Sequence, residues 1–147
     1  MGEDGKRYHT GLLMGVFDLF HIGHLRLIER AKAECDILRV GLLSDELVFR
    51  FKKARPVVPL EERMAIVAAI RGVDEVFAVT DDPSRIAEWH RKPFDCFFSG
   101  DDHEGEPYWE WEREELRKLG SDIRFFPYTK EQSTTKLRQA MEEAGKR

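Results

Sequence analysis

Apolar residues along the chain gather in short dense runs, separated by longer stretches with helical spacing. The runs are Thr10–Gly15, Ile37–Leu43, Glu75–Val79, Cys96–Ser99 and Ile123–Phe126, each the length of a strand. The second of them has the continuous apolar character of a parallel strand covered on both faces. His21–Glu34 carries Ile22, Leu25, Ile28 and Ala31 on one side and Arg26, Glu29, Arg30 and Lys32 elsewhere, the pattern of an amphipathic helix. Helices are also expected over Leu60–Ile70, with Met64, Ile66, Val67 and Ile70 available for burial, over Pro107–Leu119, stopped by Gly120, and over Ser133–Ala144. A weaker helix spans Ser84–His90, and Ser44–Glu46 starts a turn or short helix that leads into a basic loop running to Pro59.

Strands alternating with helices in this way predict an α/β fold, a Rossmann-like five-stranded parallel sheet with helices on both faces and right-handed crossovers. Residues 10–147 are expected to form one domain behind a disordered lead-in at 1–9. Ligands of such sheets sit at the carboxyl ends of the strands, near the point where strand order reverses. Four polar segments (15–24, 44–55, 99–105 and 127–135) each follow a predicted strand directly, which points to one composite site.

Composition narrows the ligand. A net charge of −4 argues against bulk nucleic-acid binding, yet Arg50, Lys52, Lys53 and Arg55 are close together, which suits a small anion. Cys35 and Cys96 are too few for a disulfide framework and read as buried free thiols. No run of eighteen apolar residues predicts membrane insertion, the first nine residues lack the apolar core of a signal peptide, and cytoplasm is the expected compartment.

The candidate chemistry centres on Gly15–His24, read as strand, turn and helix N-terminus. That geometry offers backbone N–H groups and the positive end of a helix dipole to an anion. His21 and His24, three residues apart, project from one side, and Gly23 between them lets a ligand approach the backbone. A helix cap, a half-buried core histidine or two ligands of a metal are the other readings of such a pair. The last lacks further ligands at suitable spacing.

Gly15-x-Phe17-Asp18-x-x-His21-x-Gly23-His24 resembles the signature of the nucleotidylyltransferase superfamily. Gly100-Asp101-Asp102 followed by Glu104-Gly105, and the run Thr129–Lys136, resemble the glycerol-3-phosphate cytidylyltransferases in the same order along the chain. The resemblance implies a nucleotidylyltransferase fold and transfer of CMP from CTP to the phosphate or phosphonate oxygen of a small acceptor such as glycerol 3-phosphate, with release of pyrophosphate. An acceptor oxygen that is already anionic needs no general base, so the enzyme's task becomes alignment and charge stabilisation. Mg²⁺ is expected mainly on the triphosphate rather than in a protein metal site.

By the same resemblance His21, His24, Lys53 and Arg63 are the catalytic candidates, and Lys52 or Arg55 could take the place of Lys53 or reach the acceptor with Tyr128. Gly15, Phe17, Asp18, Gly23, Asp101, Asp102, Thr129, Ser133, Thr134 and Thr135 are the nucleotide-binding candidates. Asp18 reads equally as a helix N-cap, and Ser133–Thr135 as an N-cap cluster. Arg71–Val76 resembles a segment at the family's dimer interface, so a homodimer is expected.

Three positions depart from the cytidylyltransferase pattern. Tyr128 stands where that family has an arginine, His103 where it has a tryptophan, and Gln132 where it has an aliphatic residue. Exchanging a bidentate phosphate donor for a phenol changes what can be held there, which leaves the acceptor open. Arg55–Met64 also resembles heptose-phosphate adenylyltransferases, making adenylyl transfer to a sugar phosphate the alternative. A CTP-binding module without turnover is the reading from another class.

Overall fold

The computed structural model describes residues 7–127 and 134–145, and side chains throughout except those of 134–138 and 145. The chain runs β1 (Tyr8–Gly15), α1 (Ile22–Glu34), β2 (Cys35–Leu43), α2 (Asp45–Lys52), α3 (Leu60–Ala68), β3 (Glu75–Val79), α4 (Arg85–Arg91), β4 (Cys96–Gly100), α5 (Pro107–Lys118), β5 (Ile123–Phe126) and α6 (Thr134–Gly145), with a single 3₁₀ turn at Asp101–His103 after β4. All strand pairs are parallel and the order is β3-β2-β1-β4-β5. This is the expected α/β sheet. Its order reverses between β1 and β4, the position at which sheets of this kind bind their ligands.

Neighbouring residues of a strand point to opposite faces, and the core divides accordingly. Leu13 and Phe98 pack under α1 and α3 with Ile28, Ala31, Val40, Leu42 and Val67, whereas Leu12 and Phe97 pack under α4 and α5 with Phe94, Leu116 and Ile123. Close packing demands glycine at Gly41, where a Cβ would lie 2.7 Å from the Phe77 ring and 2.9 Å from Val79. A buried charged group sits on the second face. Glu88 is 2% exposed and pairs with Arg91 at 3.5 Å, and burial pushes its carboxyl up. Arg39 nearby bonds Glu75 and lies over the Phe77 ring.

Several boundaries differ from the sequence reading, for local reasons. Residues 1–6 of the expected lead-in lie outside the described residues, but β1 begins at Tyr8. Arg7 N–H bonds the Glu34 carbonyl, and the Tyr8 ring meets Phe98 edge-on. Ser44 caps a full eight-residue helix, its Oγ accepting from Leu47 N–H. The helix expected to Ile70 stops at Ala68, because Ala69 and Ile70 N–H turn to carbonyls three residues back. Ile66, expected to be buried, is 42% exposed. Cys35 and Cys96 are buried free thiols, and burial pushes the Cys96 thiol up to about 12. Among the described residues no helix is long and apolar enough to cross a membrane.

Candidate functional site

The loop between β1 and α1 holds its shape through unusual backbone. Phe17 and Leu19 have φ of 54° and 50°, in the left-handed region that side chains disfavour, and they flank Asp18. The Phe17 ring folds back under Gly15, where a Cβ would stand 3.2 Å from it. On its other side it meets the His24 ring at 5.3 Å.

The N-cap of α1 is His21. Its Nδ1 accepts from Gly23 N–H at 3.1 Å, while His24 Nδ1 accepts from His21 N–H at 3.2 Å, a capping box built from two imidazoles. The hydrogen bonds fix the tautomers. Each Nδ1 is an acceptor, so the proton of each neutral ring resides on Nε2, which becomes the ring's donor. The rings stack 3.9 Å apart, and Phe20 packs on His24 at 5.3 Å.

Burial lowers the pKa of His24 to about 4, with the neighbouring His21 adding to the effect and Asp18 opposing it. Partial burial also lowers that of His21. Both rings are therefore neutral at pH 7. The site thus presents two N–H donors at a helix N-terminus, an arrangement suited to phosphate oxygens.

Two of the expected site residues have partners within the protein. Asp18 is 3% exposed, and its oxygens accept from the N–H groups of Val57 (2.8 Å) and Val58 (2.9 Å), in the segment after α2. It does not cap α1, and its carboxylate oxygens accept from peptide groups. Arg63 is 1% exposed. Its Nε donates to the Val58 carbonyl, Nη1 to those of Val16 and Leu43, and Nη2 to Asp45, at 2.5–2.9 Å. Four of its five N–H groups are committed within the protein. The sequence reading missed Asp45 as the partner of Arg63. The Ser44-Asp45-Glu46 run after a strand was the available signal.

Lys52, Lys53 and Arg55 lie exposed where α2 runs into that segment. Lys53 ends α2 in the left-handed conformation with φ 59°, and Arg55 pairs with Glu46 at 3.5 Å. Asp101 and Asp102 are exposed in the 3₁₀ turn above β4, beside an open Gly100. His103 stacks on Trp109 at 4.7 Å and bonds Glu106. Tyr128, Thr129, Gln132 and Ser133 lie outside the described residues. Thr134 and Thr135 open α6, without described side chains. Arg30 of α1 donates to the Pro127 carbonyl at 3.1 Å, tying the end of β5 to the motif helix.

The carboxyl ends of β1, β2 and β4 therefore carry the two imidazoles, the basic segment and the acidic turn on adjacent strands, with hydrogen bonds joining the first two. Among the described residues no three His, Cys, Asp or Glu side chains gather as a metal site.

Residues 12–140 match the family model described as cytidylyltransferase-like. The chain is 33% identical over 127 residues to the glycerol-3-phosphate cytidylyltransferase of Bacillus spizizenii, covering 86% of this chain and 92% of that protein. It is 38% identical over 125 residues to the bifunctional protein HldE of Hahella chejuensis, covering 84% of this chain. The chain spans only 15–30% of the length of the HldE proteins it matches. Among solved structures, the lipopolysaccharide core biosynthesis protein of Thermoplasma volcanium superposes with a TM-score of 0.68 at 20% identity, covering 85% of this chain and 99% of that one, a likeness of fold. Matched along most of its length by the family model, and aligned with nearly the whole of a curated relative, the chain belongs to the cytidylyltransferase-like family.

Proposed function

We propose that this chain transfers CMP from CTP to the phosphate or phosphonate oxygen of a small acceptor such as glycerol 3-phosphate. The observation that carries the reading is the imidazole capping box, which commits both Nδ1 atoms to backbone and leaves two neutral Nε2–H donors at the head of α1. The family match and the similarity to a glycerol-3-phosphate cytidylyltransferase support it.

In the reaction an acceptor oxygen attacks the α-phosphorus of CTP. A new P–O bond forms, the bond to the bridging oxygen breaks, and pyrophosphate leaves with the electron pair. A phosphate monoester loses its second proton at a pKa of about 6, so at neutral pH the attacking oxygen carries charge and no base has to remove a proton. His21 and His24 donate to the triphosphate, where charge grows as the bond breaks. Lys53, with Lys52 and Arg55 beside it, supplies positive charge from the basic segment, and Asp101 or Asp102 accepts from the exocyclic amine of the base. Mg²⁺ enters on the triphosphate as part of the substrate, since the donor set described is suited to anions.

Similarity to HldE across most of the chain favours a second reading, adenylyl transfer to a sugar phosphate. Pyrophosphate release tests both. CTP and ATP are offered with a panel of phosphate and phosphonate monoesters, including glycerol 3-phosphate and sugar 1-phosphates. Turnover with CTP supports the first reading and turnover with ATP alone the second. CTP binding with no release from any acceptor would leave a non-catalytic module.

We also propose a homodimer. A groove of about 450 Å³ lies between α1 (Leu25, Glu29, Lys32, Ala33) and the turn after α3 (Ile70, Arg71), away from the imidazoles. It adjoins the segment that resembles the family's dimer interface.

A further inference from the structure

Two buried side chains of opposite charge grip one short stretch of backbone. Residues 54–59 have no helix or strand, and Val57 is 49% exposed, so hydrophobic burial does little to fix them. Their N–H groups at Val57 and Val58 donate to Asp18, and the Val58 carbonyl accepts from Arg63. Arg63 also binds the Val16 carbonyl, so one guanidinium spans the motif loop and the segment following α2. Among the described residues no other backbone hydrogen bond is made by Ala54–Val58. The left-handed residues on either side of Asp18 hold its carboxylate in place, an arrangement that persists only where the surroundings over-determine it.

We propose that Asp18 and Arg63 are positioning residues: a latch that docks residues 53–58 on the imidazole loop and so sets Lys53 and its cationic neighbours against the triphosphate. The proposal rests on the reading of the site as a triphosphate site. It accounts for the presence of an acid in an anion-binding motif, since Asp18 accepts from the peptide N–H groups of Val57 and Val58. It also joins two catalytic elements that come from different strands. Misplacing charged groups by about 1 Å can cost about a hundredfold in rate, so the docking of this segment matters as much as its charges.

Asp18→Asn carries the test, because Arg63 additionally ties Leu43 and Asp45 and its loss reaches further into the fold. Asparagine keeps the size but offers an NH₂ where one of the two amides needs an acceptor. Hydrogen exchange at the Val57 and Val58 amides should accelerate by about tenfold or more, and trypsin should cut faster after Lys52 and Lys53, while the amides of β1 and β2 keep their protection. Exchange at Val57 and Val58 unchanged from wild type would overturn the latch, whatever the enzyme does.

With substrate, Asp18→Asn should raise KM for CTP and lower kcat together. Lys53→Ala should cost about tenfold or more in the wild type but little in the Asp18→Asn background, because the lysine there has already lost its place. Full additivity of the two substitutions would overturn the positioning role even if exchange had accelerated. If wild-type protein neither binds CTP nor releases pyrophosphate, the functional reading fails, while the exchange experiment still decides whether the latch exists.

Discussion

Replacing His24 by glutamine leaves a side-chain N–H donor near the position of Nε2, whereas alanine leaves none. If the neutral ring acts only as a donor, His24→Ala should lower kcat by about 10²–10³ and His24→Gln should retain a substantial part of it, measured as pyrophosphate release at saturating CTP. A ring acting as a proton source would not be rescued this way. The same ring links stability to pH. Its folded pKa of about 4 lies below the ordinary histidine value of about 6.5, so between these limits the unfolded chain binds the extra proton. This contribution to stability is fully present above about pH 6.5 and is lost as pH falls through about 4. Urea midpoints at pH 5 and 7.5 should therefore differ more for wild type than for His24→Gln. The His-x-Gly-His spacing made both rings candidates from sequence. Their protonation state was not legible, because it depends on the Phe17 and Phe20 rings packing against His24 and on backbone N–H groups occupying Nδ1.

At the scale of elements, single side chains fasten one segment to another. Glu112 of α5 is completely buried and accepts from Arg85 Nε at 2.5 Å, from Ile86 N–H and from the Tyr108 hydroxyl, joining α5 to the first turn of α4. Arg85 lies 3.8 Å over the Trp109 ring, so removing its partner strands a nearly buried cation. Glu112→Ala should cost about 3–5 kcal/mol in urea unfolding while leaving the imidazole ¹⁵N signals that report the Nε2–H tautomers unchanged. Helix and strand existence was legible in these elements because periodicity is local. The fastenings were not. Asp18 meets backbone 39 and 40 residues away and Arg63 meets it 47 residues away, and a peptide group looks the same in every sequence. That is why an arginine resembling a phosphate ligand turned out to face inward onto carbonyls.

For the whole molecule, the parallel βα architecture followed from the alternation of runs, and the carboxyl-end rule is what led the polar segments to be expected at one edge of the sheet. The order β3-β2-β1-β4-β5 supplies what the pattern could not, namely which strands are neighbours. The groove between α1 and the Arg71 turn belongs to this scale too. Light scattering on the purified chain should give twice the monomer mass, and Arg71→Glu, which sets a carboxylate beside Glu29, should return it to monomer mass without altering the imidazole signals. The same strand order puts two short strands, β3 of five residues and β5 of four, at the margins of the sheet, with Glu75 and Arg124 upon them. Brief, charged margins of this kind give an incoming chain little to zip onto, so the protein should withstand high concentration and partial unfolding without seeding fibrils.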